Sequence, residues 1–208
     1  MSPLGHTRQA RFPLAKILPG TNDYPPSLAS DGVKTALSFI GEPGILKLPC
    51  MALFCSVKCP GSIIMKTYEV MQCLKLQDRV IAGGFHSPME RTCLDILMRG
   101  RVKLLLCPAR GIRRLRIRPE WRDAMTANRL LVISPFDDPV RRSTTQLACI
   151  RNRFVAALAE SLFIPFAARQ SNTEQFAAEM LAAGKSVYTL PDPESQPLIS
   201  LGARLLSL

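Results

Sequence analysis

No stretch of this sequence approaches the roughly 18 to 20 uninterrupted apolar residues of a membrane span. The longest apolar run, residues 48–57, is broken by Pro49 and Ser56. The first twenty residues carry Arg8, Arg11 and Lys16 but no apolar core segment, which argues against a secretory leader. There is no Walker A motif, no GxGxxG fingerprint, no motif for a Ser or Cys nucleophile and no internal repeat. Cys50, Cys55 and Cys59 contain no CxxC pair, which argues against zinc. Acidic residues are scarce: 16 Asp and Glu face 27 Lys and Arg, a formal charge of +11. A chain so basic meets an anionic partner, most often nucleic acid, sometimes a nucleotide or a membrane surface.

What is present fits an ordinary globular protein. A hydrophobic content of 47% excludes disorder throughout, and 12 Gly with 17 Pro exclude collagen. A length of 208 residues suits one domain with a sizeable core. The seven cysteines are odd in number and mostly sit inside apolar runs, as Cys107 does after three leucines. They read as reduced, buried thiols of a cytoplasmic protein.

Residues 1–44 are rich in Pro, Gly and Ser and read as an arm and lead-in, with one helix over 26–39. From residue 45 to 208 the pattern becomes regular. Apolar strands are expected over 51–56, 79–82, 102–107, 130–133, 162–166 and 187–190. Helices are expected between them, over 89–98, 119–125, 144–160 and 173–183. A further helix follows Pro60-Gly61, where Ile63, Ile64, Thr67, Val70, Met71 and Leu74 keep helical spacing. Strands that are apolar throughout and alternate with helices predict a mostly parallel sheet covered on both faces, a Rossmann-like doubly wound α/β domain. Such folds bind ligands outside the carboxyl ends of the strands, so the loops there are the ones to read.

The first loop, Cys55-Ser56-Val57-Lys58-Cys59-Pro60-Gly61, is either a plain strand-to-helix turn or an anion site, with Lys58 supplying charge. In the second, Gly83-Gly84 permits close backbone approach; His86 and Glu90 follow, either as a catalytic pair or as a polar loop residue and a helix-start carboxylate. The third region is the most lopsided. Residues 99–129 hold ten basic residues against Glu120 and Asp123, which is +8 of the +11. Nine of the ten are Arg, which pairs bidentately with phosphate. Arg110, Arg113, Arg114, Arg116 and Arg118 fall just after an expected strand end, so phosphate contacts are expected there. A fourth segment offers Arg141 and Arg142 beside an expected N-cap at Ser143, then Arg151-Asn152-Arg153 on a helix. In the fifth, Ser171-Asn172-Thr173-Glu174 has the capping-box pattern.

Taken in order, these pieces resemble the DprA/Smf family of DNA-processing proteins. Asn22-Asp-Tyr-Pro-Pro-Ser-Leu28 with Phe39-Ile-Gly41 resembles that family's YPxxL…G lead-in. Residues 51–61 take the place of its GSR strand and loop, and Val80-Ile-Ala-Gly-Gly84 matches its SGG segment. Cys149-Ile-Arg-Asn-Arg-Phe-Val-Ala-Ala-Leu158 resembles its RNR motif. The stretches Ser171-Asn172-Thr173, Gly184-Lys185-Ser-Val-Tyr-Thr-Leu-Pro191 and Leu198-Ile-Ser-Leu-Gly202-Ala203-Arg204 resemble its last three. The resemblance runs from residue 22 to the end. It departs in three places: the GSR arginine is absent or replaced by Lys58, the aromatic before RNR is Ala148, and the GARGID loop reads Gly84-Phe-His-Ser-Pro-Met. The helical domain and winged helix of longer members are not expected here.

The resemblance implies an ATP-independent protein that binds single-stranded DNA, has a RecA-type recombinase as partner and forms a homodimer, with no cofactor or metal and no catalytic residues. Its pocket would map to Ser56, Lys58, Gly61, Gly83, Gly84, Arg151, Asn152 and Arg153. To these the basic loops add Arg110, Arg113, Arg114, Arg141 and Arg142, and the polar turn adds Ser171, Asn172 and Thr173. A reading of another class is a nucleotide-binding sensor or nucleoside-phosphate hydrolase, motivated by Ala148 and by His86, Glu90 and Glu174 near expected strand ends. A purely structural partner-binding protein has no positive sign in the sequence.

Overall fold

The apolar runs do become strands buried on both faces. In a computed structural model, which describes residues 12–30, 35–136, 140 and 142–207, four of them stand side by side: β3 (Cys50–Leu53), β4 (Val80–Gly83), β5 (Lys103–Leu106) and β6 (Leu130–Ser134). Side chains alternate across a strand. Cys50 and Ala52 of β3 and Val80 and Ala82 of β4 join one core, while Met51, Leu53 and Ile81 join the other. Both periods are apolar because neither face meets water.

Among the described residues the sheet has nine strands. With β1 (Ala15–Ile17), β2 (Leu37–Gly41), β7 (Ser161–Phe163), β8 (Ser186–Thr189) and β9 (Arg204–Leu205), the order is β1-β2-β6-β5-β4-β3-β7-β8-β9. Everything from β6 to β9 is parallel; β2 runs antiparallel to β6, and β1 antiparallel to β2. Seven helices accompany it: α1 (Pro26–Ser30), α2 (Gly61–Leu74), α3 (Pro88–Met98), α4 (Pro119–Thr126), α5 (Thr145–Leu158), α6 (Asn172–Ala182) and α7 (Gln196–Ser200). Residues of α2, α3 and α4 pack on one face of the sheet, and those of α1, α5 and α6 on the other. This is the Rossmann-like α/β architecture the sequence predicts.

The expected helix over 26–39 is a correction. Only α1, five residues long, forms there, and Leu37 begins a strand. Leu37-Ser-Phe-Ile has the helix-neutral, strand-tolerant composition that pairing decides, and β6 offers it an open edge: Phe39 stands opposite Ile133 and Ile40 opposite Val132. Ala15–Ile17 then pairs with β2, so the lead-in extends the sheet by two strands.

The connections place the candidate site. From β3 the chain steps outward through β4, β5 and β6, then returns across the sheet to β7, on the opposite side of β3. The reversal lies between β3 and β7, and ligands of open α/β sheets sit at the carboxyl ends of the strands at such a point.

Candidate functional site

Ser56 stands just beyond β3, at the reversal. It is buried. Its N–H donates to the Phe166 carbonyl at 3.1 Å, and its Oγ accepts from the Ala168 N–H at 3.0 Å and lies 3.4 Å from Ser171 Oγ. The hydroxyl thus laces the loop after β3 to the loop after β7. Ser171 caps α6 by accepting from the Glu174 N–H at 3.2 Å. The reciprocal half of the expected capping box shifts by one residue: Glu174 accepts from the N–H of Gln170, at 2.6 Å, whose φ of 57° turns the chain into the cap. Asn172 and Thr173 open the helix and line a cavity of about 150 Å³ with Phe54, Cys55, Asn152 and Arg153.

Lys58 is exposed, and Gly61 begins α2 in open space. Pro60 precedes α2 and gives it no side-chain cap, which leaves donors for an anion. A carboxylate is already close. Asp192, nearly buried, accepts from the Glu194 N–H at 2.9 Å and pairs with Lys66 at 3.0 Å. With the Ser62 hydroxyl, these groups hold its carboxyl below the usual range. Part of this helix start is therefore occupied by the chain's own charge.

The loop after β4 is held by Glu90. Its Oε1 accepts from the Cys55 N–H at 3.0 Å, and its Oε2 accepts from the N–H groups of His86, at 2.8 Å, and Ser87, at 3.4 Å. In return the Glu90 N–H donates to Ser87 Oγ at 3.2 Å, which completes a capping box. The glutamate is buried and clamps two loops together, while the His86 side chain is exposed. Glu90 meets only the backbone of His86, so the alternative of a catalytic His86–Glu90 pair has no geometry behind it. Phe85, just before His86, is buried at φ 47°, a left-handed conformation unusual for a bulky residue.

Arg151, on α5, crosses under this loop and is only 5% exposed. Its Nη1 donates to the Cys107 carbonyl at the end of β5, at 3.1 Å, and its Nε donates to Asn152 Oδ1 at 2.7 Å. It pairs with no carboxylate among the described residues. Nη2 makes no hydrogen bond to another described residue. A Cβ at Gly84 would overlap the Nη1 and Cζ atoms of this guanidinium; glycine is required here by the arginine. At Gly83 the approach is looser, with the Leu53 carbonyl 3.2 Å from such a Cβ. A buried guanidinium is costly without an opposite charge, and no such charge is supplied from within the described chain.

Arg153, two residues on, behaves differently. It is exposed and forms a fork with Glu179 of α6, Nε to Oε1 at 2.6 Å and Nη2 to Oε2 at 2.9 Å. The pair raises the Arg153 pKa and lowers that of Glu179. Arg153 forms the rim of the cavity with its charge already matched.

The arginine loop after β5 alternates. Ile112 is buried, and Leu115 and Ile117 pack against the core. Arg110, Arg113, Arg114, Arg116 and Arg118 are exposed. The Arg110 carbonyl accepts from Ser134 Oγ at 2.8 Å, and the Gly111 N–H donates to the Val140 carbonyl at 2.9 Å, which anchors the loop to β6. Arg118 lies over the Trp121 ring at 5.6 Å. Lys58 and these arginines share the carboxyl edge but not one cavity: their loops leave strands on either side of β4, about 10 Å apart at normal strand spacing. Arg142 is exposed just ahead of α5, where the cap is Thr144 and not the expected Ser143. Arg141 lies outside the described residues.

Three contributors escaped sequence reasoning. Glu90 as a loop clamp had a signal, Ser87-x-x-Glu90. Glu179 had none, being 26 residues from Arg153. The third is the approach of Cys59 Sγ to Cys55 Sγ, at 3.8 Å.

The family model for DNA recombination-mediator protein A matches residues 16–207. Among solved structures, the X-ray structure of DNA processing protein A from Streptococcus pneumoniae superposes with a TM-score of 0.77 at 20% identity, covering 95% of this chain and 72% of that one. DNA processing protein A from Helicobacter pylori, studied for its single-stranded DNA binding mode, superposes with a TM-score of 0.70 at 16% identity, covering 93% and 90%. The Moco carrier protein from Chlamydomonas reinhardtii shares the fold at a TM-score of 0.50 and 14% identity, covering 77% and 90%. No curated protein matches the chain.

Proposed function

The chain belongs to the DNA recombination-mediator protein A family, and on that premise we propose that it binds single-stranded DNA along the carboxyl edge of its sheet. The observation that carries this is Arg151, a buried arginine beneath Gly84 that has no carboxylate partner, and no bond at Nη2, among the described residues. A phosphate supplies the missing charge with charge-assisted hydrogen bonds. Lys58 and the exposed arginines of residues 110–118 extend the positive edge on both sides of that point, in the manner of a groove that tracks a backbone. The H. pylori relative, with single-stranded DNA as its ligand, supports the choice of polymer.

At the reversal between β3 and β7, cavity size also disfavours a mononucleotide sensor; a cavity of about 350 Å³ lies apart from it, between α3 and α4. Small-molecule sites usually enclose about 300–1,000 Å³, and the cavity beside Asn152 and Asn172 holds about 150 Å³. Glu90 is committed to three backbone N–H groups and Glu174 accepts from the Gln170 N–H, which disfavours either as the general base of a nucleoside-phosphate hydrolase. A homodimer and a RecA-type recombinase as partner are the further steps this reading carries. No helix among the described residues is long and apolar enough to cross a membrane.

The test is fluorescence anisotropy with a labelled single-stranded oligonucleotide at several salt concentrations. Log affinity should fall linearly with log salt at a slope of about −0.7 per phosphate contacted. Absence of binding at low salt, or binding that salt leaves unchanged, overturns the reading. A nucleoside monophosphate that raises the melting temperature in the absence of DNA favours the sensor instead.

A further inference from the structure

All seven cysteines are reduced thiols, and two of them bracket the loop at the reversal. Cys55 is buried in the loop just beyond β3, Cys59 is half-buried just before α2, and their sulfurs are 3.8 Å apart. Ser56, Val57 and Lys58 lie between them. Of the other thiols, Cys93 is buried near the pair on α3; Cys50 and Cys107 are buried, Cys73 is exposed on α2, and Cys149 lies on α5.

We propose that Cys55 and Cys59 form a reversible dithiol–disulfide pair, closed by peroxide, that sets the conformation of the loop carrying Lys58. The geometry supplies the reason. Both side chains already point at each other in sulfur–sulfur contact, and a bond of about 2.05 Å needs a further approach of roughly 1.8 Å. Residues in a strand-to-helix loop can absorb that movement; residues inside β3 or α2 cannot. The chemistry divides between them by exposure. Cys59 is the sulfur that peroxide can reach, and the hydrogen bond from Cys55 lowers its pKa, which favours the nucleophilic thiolate. The same bond and burial raise the Cys55 thiol and hold its proton until the second step.

The Cys59 thiolate attacks one peroxide oxygen. The O–O bond breaks, and sulfenic acid and hydroxide form. Cys55 then attacks the sulfenic sulfur: the S–S bond forms, the S–O bond breaks, and the thiol proton leaves with the departing hydroxide as water. Overall, two thiols and one hydrogen peroxide give one disulfide and two waters, the sulfurs losing two electrons that peroxide gains. A dithiol reductant reverses it by exchange.

Closure pulls Lys58 toward the start of α2 and strains the Ser56 bridge to Ala168. The effect on DNA rests on the proposed function; the disulfide does not. The experiment treats the full chain with stoichiometric hydrogen peroxide, alkylates free thiols and maps the product by mass spectrometry. A 2 Da loss located in a Cys55–Cys59 cross-linked peptide, reversed by dithiothreitol, absent in Cys59→Ser and retained in Cys73→Ser and Cys149→Ser, supports the pair. A cross-link to Cys93 or another thiol overturns it, as does Cys59 oxidised to sulfinic acid while Cys55 remains alkylatable. In the anisotropy assay the oxidised protein should bind the oligonucleotide roughly fivefold more weakly, the counterion-release share of one exposed lysine–phosphate contact at about 0.1 M salt, less than the loss expected at the buried Arg151. Equal affinity of the two forms overturns control of the loop. No affinity in either form counts against DNA binding and leaves the mapped disulfide standing.

Discussion

Replacing Gly84 by Ala tests the role of Arg151 without touching it. The φ of Gly84 is not positive, so its backbone accepts a side chain, and the three atoms nearest the new methyl group all belong to the Arg151 guanidinium. That guanidinium must leave. Two hydrogen bonds go with it, to the Cys107 carbonyl and to Asn152 Oδ1, at about 1.5–3 kcal/mol each for a charged donor. Rehydration of a charge that is 5% exposed returns several kcal/mol. The two largely cancel, and the net loss of stability should be about 0–2 kcal/mol, a fall in melting temperature of no more than about 8 °C for a domain of this size. Binding has no such compensation. Loss of one charge-assisted phosphate contact is worth about 1.5–3 kcal/mol, so affinity for a single-stranded oligonucleotide should fall about 10- to 100-fold. Arg151→Ala should lose the same affinity, and the double substitution should lose little more, since both remove one contact. Melting temperature and anisotropy measured on the three variants decide it. Wild-type affinity in Gly84→Ala would refute the placement of Arg151 in the binding edge.

Glu90→Gln keeps the shape of the clamp but removes its charge and one acceptor oxygen, so at least one of the Cys55, His86 and Ser87 N–H groups is left unpaired in a buried place. A loss of about 2–3 kcal/mol, seen as a melting temperature roughly 5–10 °C lower, is expected; an unchanged melting temperature contradicts the clamp. The Arg153–Glu179 fork lowers the Glu179 pKa below its ordinary 4.5. Its stabilisation is therefore present above that value and disappears as pH falls through the lowered pKa. With both side chains about half exposed, it is worth no more than about 1 kcal/mol. Thermal melts of Glu179→Gln and wild type should differ slightly at pH 7 and coincide near pH 2. Arg114 and Arg116 are exposed, so the double change to Ala should leave the melting temperature within a degree or two and flatten the salt slope by about 1.4, two phosphates on a single strand.

The order of strands and helices from β3 to β8 was readable because local and global demands agree there, whereas α7 and β9 were not expected. Val80-Ile-Ala and Leu130-Leu-Val-Ile are apolar at every position, a pattern that only a sheet covered on both faces satisfies, and Pro60, Pro88 and Pro119 mark the helix starts that follow loops. The lead-in was not readable. Leu37–Gly41 becomes a strand by pairing with β6, and nothing local in its five residues announces a partner more than ninety positions away. The site divides in the same way. The basic character of residues 99–129 and the RNR triplet are visible as residue types, but their roles are not: Arg151 is buried and without a carboxylate partner, while Arg153, of the same type and two positions later, is exposed and matched by Glu179.

The sequence by itself determined the fold class, the edge where a ligand would meet the sheet and the sign of charge waiting there. These follow from hydrophobic period and residue counts, which are local sums. Only the tertiary structure decided which charges are spent and which are open. Whether a carboxylate lies beside an arginine depends on where two helices come to rest on the sheet, and a helix repeats its directions every 3.6 residues while its partner's distance along the chain is arbitrary.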